Sequence, residues 1–164
     1  MEQIFGAAKV GLMLLVAGLA GGCSIGAPST FTLNGASVDT TYTCPAGAAN
    51  APYFMIGTID VHNGTSSSVT IKSVAAVMTL AAVKGSWLEP VGDKYEASGV
   101  TFAPRTVGAN SSASLKVVVP SACTNGKAPS ALTNYGDYAV ALTVATSSGT
   151  HTIESQNRHR IVAA

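Results

Sequence analysis

Tyr138, Val140, Leu142 and Val144 alternate with Ala139, Ala141, Thr143 and Ala145. A period of two puts one set of side chains on one face of a strand and the other set on the opposite face. A helix cannot bury such a pattern. A strand can, provided a second sheet covers its apolar face. The same alternation recurs along the chain. Leu115, Val117 and Val119 share a face within Ala113–Val119, where Pro120 is expected to stop the strand. Val38, Thr40, Tyr42 and Cys44 alternate along the first clear strand, and Tyr53–His62, carrying Ile59 and Val61, forms the second. Asn63-Gly64 then marks a tight turn.

Val69–Leu80 begins with period two at Val69 and Ile71, yet Val74, Val77, Met78 and Ala81 also fit a helical spacing. A long strand with a bulge is the expectation. Lys84–Pro104 is the longest irregular stretch, with Trp87, Pro90, Gly92, Asp93, Tyr95 and Gly99, and with a short strand expected near Val100–Phe102. Thr106–Asn110 turns the chain and Cys123–Thr133 reads as a loop. Ser147-Ser148-Gly149 forms a hairpin, and Thr150–Val162 returns as the last strand. About seven strands at this spacing predict an all-β sandwich or barrel.

Tyr135-Gly136-Asp137-Tyr138-Ala139-Val140 resembles the entrance to the penultimate strand of an immunoglobulin-like domain, where a tyrosine hydroxyl ties the corner. The run from Pro104 to Leu115 is similar to bacterial immunoglobulin-like modules. The resemblance implies an antiparallel immunoglobulin-like β-sandwich over 30–164. Antibody-type domains carry a cysteine two residues after that tyrosine. Here the position is Val140, so the antibody disulfide is absent. The fold implies no ligand.

The N-terminus has a different character. Val10–Gly22 is uncharged and rich in leucine. Its length suits the apolar region of a secretory signal and is too short for a membrane span. The other reading is a core helix or short anchor, but no polar face interrupts the run. Leu19-Ala20-Gly21-Gly22-Cys23 resembles the lipobox of bacterial lipoproteins, with Ala20 where that family usually has leucine. The resemblance implies a signal peptide over 1–22, lipidation of Cys23 and a tether over 23–29. It also implies a membrane partner through the lipid anchor. Ordinary signal cleavage at the same bond would instead release a secreted chain. Three cysteines leave one over. Cys44 and Cys123 can pair in an oxidising compartment, which leaves Cys23 for lipidation; two free thiols are the alternative.

Charged residues make up 10% of the chain, with net charge +1, so no basic footprint for nucleic acid is present. No nucleophile elbow, phosphate loop or dinucleotide fingerprint occurs. The expectation is therefore no enzyme and no cofactor. Asp60 and His62 fall on one strand face at i and i+2 and could supply two metal ligands. His151, His159, Met55 or Met78 would have to complete the set, which makes a small periplasmic metal-handling protein the alternative function. Arg158 and Arg160 would share a face opposite His159. They could contact anionic lipid or a polyanion, or protect an edge strand by charge. Asn63-Gly64-Thr65 and Asn110-Ser111-Ser112 fit the glycosylation pattern but read mainly as turns. Trp87 and Tyr95 mark the best candidate contact loop, unless Trp87 folds back as a plug on the core. The expected function is a non-enzymatic binding or envelope-structural module, with another envelope protein or a surface glycan as its partner.

Overall fold

The computed structural model describes residues 30–125 and 134–163. The signal peptide, Cys23, the tether and most of the Cys123–Thr133 loop expected from sequence lie outside the described residues. Among the described residues there are eleven strands: β1 Phe31–Val38, β2 Thr41–Cys44, β3 Ala51–Asn63, β4 Val69–Lys84, β5 Lys94–Ala97, β6 Thr101–Ala103, β7 Thr106–Val107, β8 Ser111–Cys123, β9 Tyr135–Thr146, β10 Gly149–Glu154 and β11 His159–Ala163.

One sheet has the order β1-β3-β8-β6, and the other runs β2-β11-β9-β4-β5 with β10 on β9. The first matches the A-B-E-D order of an immunoglobulin domain, and β11-β9-β4-β5 matches G-F-C-C′. The chain is an immunoglobulin-like β-sandwich. Its core lies where alternating residues of the two sheets meet. Met55, Ile59, Leu115, Val117 and Val119 come from one sheet. Ile71, Met78, Leu80, Val140, Leu142 and Val144 come from the other, and all are at most 1% exposed.

Eleven strands replace the expected seven for specific reasons. The stretch from Val38 to Cys44 is not one strand. Asp39 ends β1 by donating its N–H to the Ile56 carbonyl at 2.8 Å, while the Thr40 carbonyl accepts from Arg160 N at 2.8 Å. The chain thus changes sheets between these two residues, and β2 pairs parallel with β11. The last strand is also split, although both halves stay in one sheet. β10 and β11 lie end to end along one edge of β9. Between them Gln156 N donates to the Ala36 carbonyl at 2.9 Å, and the Asn157 side chain bonds both backbone groups of Val38. β5 and β7 account for the remaining two. β4 is the long strand expected, with register shifts between Ile71 and Ser73 and between Leu80 and Ala82. The apparent helical spacing is what such bulges produce, because each changes which face the next residue meets.

Pro120 does not stop β8, which continues to Cys123. The hydrogen bonds of Ile56 give the reason. Its carbonyl accepts from Asp39 N and its N–H donates to Asp39 Oδ2 at 2.8 Å, so both groups point away from β8. Backbone groups alternate sides along a strand. Pro52 and Phe54 therefore also point away from β8, and so do their opposite numbers Ala122 and Pro120 from β3. Neither proline removes a ladder bond between β3 and β8. Both direct their nitrogens outward, where proline is tolerated.

Asn63, at the end of β3, is fully buried. Its amide donates to the carbonyls of Ser67, Val107 and Gly108 at 2.9, 3.2 and 2.8 Å, and its oxygen accepts from Thr65 N at 3.0 Å. Of the two glycosylation-pattern sites, this one is a structural turn whose amide is already in use. Asn110 adopts φ 48° in the turn before β8.

Candidate functional site

The sequence nominated Asp60, His62, His151 and His159 as metal ligands, but the fold separates them. Asp60 and His62 do share the outer face of β3, and His62 Nδ1 lies 3.0 Å from Ser112 Oγ. His151 on β10 packs its ring 5.4 Å from Phe31. His159 contacts Tyr53, which lies about 30 Å from His62 along β3 at about 3.3 Å per residue. Met55 and Met78 are core residues. Among the described residues no group of three or more His, Cys, Asp or Glu could hold a metal ion. Asp60 and His62 share a face as their spacing predicts, but no third or fourth ligand joins them, because His151 lies on β10 in the other sheet and His159 lies beside Tyr53 at the opposite end of β3.

His159 has a structural role. It is 1% exposed. Its Nδ1 lies 2.7 Å from the Asp39 carbonyl, which can only accept, so Nδ1 carries the proton. Nε2, 3.1 Å away, accepts from the Tyr53 hydroxyl. Tyr53 in turn stacks on Tyr42, with centroids 3.9 Å apart and planes 7° apart. This column pins β2 and β11 to β3 where the chain changes sheets. Burial pushes the Tyr53 phenol up to about 12, against the opposing Ser121 hydroxyl. Burial likewise holds the His159 imidazole below its ordinary range, against the Asp39 carbonyl. The unfolded chain takes up a proton as pH falls through about 6.5, whereas the folded chain resists until lower pH. The resulting stability is present above about pH 6.5 and is lost below it, at no more than about 1.4 kcal/mol per pH unit. Thermal melts from pH 7.5 to 5 should show this decline. His159→Gln should melt lower at pH 7.5 and lack that step; an unchanged step would refute the assignment.

Arg160 is also committed. Its guanidinium makes a two-point ion pair with Asp137, at 2.7 and 2.9 Å, and lies 3.8 Å over the Tyr135 ring. The pairing holds the Asp137 carboxyl below its usual range. Arg158 and Arg160 do oppose His159 as expected, but β11 is flanked by β2 and β9 and is not an edge. Edge protection is therefore not their role, and Arg160 is neutralised.

The opposite end of the sandwich from Asn63 holds the contact candidates. Trp87, in the β4–β5 connection, lies flat against Gly136 of β9. A Cβ built on Gly136 would come within 2.7 Å of the indole ring. Trp87 Nε1 donates to the Tyr138 hydroxyl at 3.3 Å. Tyr138 therefore ties this loop rather than the corner that the immunoglobulin resemblance implied, and Trp87 is the plug weighed from sequence. Around the plug lie three adjoining hollows of about 180, 160 and 170 Å³, sharing Trp87, Glu89, Tyr95, Ala122 and Tyr138 among their walls. Each is smaller than the roughly 300 Å³ at which pockets begin to enclose a ligand. They form a groove suited to side chains of something lying across it. Leu88, Val91 and Tyr95 stand exposed beside it at 69%, 57% and 41%. Burial raises the Tyr138 phenol, with the Trp87 hydrogen bond opposing and the charges of Glu89 and Asp93 adding to it. The loop from Trp87 to Tyr95 that the sequence marks, Glu89 included, does line the groove; Ala122 of β8 and the place of Tyr138 in its wall are not marked by the sequence.

Cys44 and Cys123 close the same pole. Their disulfide joins β2 in one sheet to β8 in the other, across a sequence separation of 79.

No family model matches the chain, and no curated protein matches it. Among solved structures it is similar to AggA, the major subunit of aggregative adherence fimbriae type I from Escherichia coli, at 9% identity and a TM-score of 0.40, covering 82% of this chain and 95% of that one. It is also similar to PapD-like domain 7 of human CEP192, at 13% identity and a TM-score of 0.31, covering 99% and 98%.

Proposed function

We propose that this chain is an exported, lipid-anchored, non-enzymatic binding or envelope-structural module. The observation that carries the reading is its polarity. Thr30, next to the segment with the lipobox-like motif, bonds Gly64 N at 2.9 Å, at the pole where Phe31 pairs with Asn63. The Trp87 groove lies at the other pole, near Tyr53 and Ser121, about 33 Å away along β3. A tether from Cys23 to Thr30 would reach at most about 25 Å. An anchor at Cys23 would thus hold the Asn63 pole near the membrane and present the groove outward. A disulfide in the sandwich agrees with an oxidising compartment. Acylation with two chains gives stable attachment where one chain is marginal.

The test is membrane fractionation of the chain and of Cys23→Ala in a Gram-negative expression host. The unaltered chain should sediment with membranes, and Cys23→Ala should not be lipidated. Identical processing and sedimentation of the two would overturn the anchor.

A further inference from the structure

The geometry points to the β8 edge beside the Trp87 groove as a docking site for an extended segment of another polypeptide, added as a strand, with a basic side chain directed into the groove. This rests on the reading of that pole as the outward contact surface.

The argument starts from the alternation fixed by Ile56. Since Ile56 bonds Asp39, the backbone groups of Val118, Pro120 and Ala122 all face away from β3. Val118 and Lys116 are matched there by Thr101 and Ala103 of β6. β6 begins at Thr101, and among the described residues no strand pairs with β8 on that side beyond Val118. Among the described residues, the Pro120 carbonyl and both backbone groups of Ala122 thus have no strand partner and form an open edge. β8 is long where its neighbour is short, and Pro120 sits there because its missing N–H is not needed.

An open edge fits one kind of partner, an extended backbone offering alternating donors and acceptors. Main-chain bonds would supply affinity and the hollows would supply side-chain selection. Ala122 and Ser121 line the same hollow as Tyr95, Tyr138, Glu89 and Asp93. Alternate side chains of an added strand would point into that hollow and, on the other face, lie beside Pro120 and Ala122, with the exposed Phe54 and Ile56 of β3 one strand further on. Two carboxylates against the single ammonium of Lys94, with aromatic walls, favour a cationic side chain over an anionic one.

The experiment uses the full chain, isotopically labelled. The probes are three eight-residue peptides of alternating Thr and Val: one with a central Lys, one with Glu in its place, and a Lys copy N-methylated at alternate amides. In the free chain the Ala122 amide should exchange rapidly. The Lys peptide should shift and protect it, and the Glu and N-methylated peptides should bind at least tenfold more weakly. The double variant Glu89→Gln with Asp93→Asn should erase the Lys preference. Ala122→Pro, which repeats at 122 what Pro120 already does, should fold and lose binding. If that variant does not fold, the N-methylated peptide still removes the same class of bond from the partner's side. Three results would each overturn the proposal: an Ala122 amide already protected in the free chain, no binding of the Lys peptide at millimolar concentration, or equal binding of the N-methylated copy. A concentration-dependent dimer that blocks the peptide would overturn it in favour of a second copy as occupant. Ala122→Pro should fractionate like the unaltered chain, so failure at this edge and failure of the anchor are separately visible.

Discussion

Replacing Cys44 and Cys123 together by alanine should lower the melting temperature by on the order of 10 °C. The bond closes a loop with a sequence separation of 79. In the loop-entropy picture, releasing that loop in the unfolded chain removes about 4 kcal/mol of stability. A domain of this size loses roughly 2–4 °C per kcal/mol. The location adds to the effect. β2 is only four residues long and pairs with β11 alone, so without the disulfide it is held mainly by the Tyr42–Tyr53–His159 column. Cys44 is also tied through its carbonyl to the Asn125 amide at 3.1 Å. Both sulfurs are buried, so mild reductant should act only as the pole opens, and slowly. A melting temperature within about 2 °C of the unaltered chain would show that the bond stabilises nothing.

The second large effect is expected at Gly136. Its hydrogen atoms face the indole of Trp87, and any Cβ there would meet three ring atoms at 2.7, 2.8 and 2.9 Å. An indole is rigid and cannot yield by bending, so Gly136→Val must expel it. The cost is overpacking of about 1–3 kcal/mol, with loss of the bond to the Tyr138 hydroxyl. Trp87 is the only tryptophan in the chain, so its fluorescence reports the displacement directly. Emission should move to longer wavelength and the melting temperature should fall by about 3–10 °C. Unchanged emission would mean that the loop is not seated as described.

The legible part of the fold was its alternation. Leu115–Val119 and Tyr138–Val144 bury the side chains their pattern assigns, because a period-two pattern has one solution on a pleated strand. The breaks were less legible. Nothing in the residues around Asp39 announces a change of sheet, and nothing around Ser155 announces the break between β10 and β11, since these depend on partners far away in the chain, Ile56 and Ala36. Pro120 misled for a physical reason: a proline ends a strand only when its nitrogen faces a partner, and sequence does not say which way it faces. The disulfide was legible from the cysteine number together with the export expected from the N-terminal sequence. The groove was legible only through the loop from Trp87 to Tyr95, because Ala122 of β8 and Tyr138 of β9 reach it only once the sandwich brings those strands beside the loop. The proposed ligand set at Asp60 and His62 failed because a shared strand face brings only neighbours two residues apart together, while His151 belongs to the other sheet and His159 to the other end of the sandwich.

The measurement that bears most directly on the central claim is the intact mass of the chain recovered from membranes. A lipid-anchored module beginning at Cys23 predicts the polypeptide from that residue, less two hydrogens for the disulfide, plus a diacylglycerol and a further acyl group. A chain that begins at Cys23 with no added lipid, or that retains residues 1–22, would contradict it.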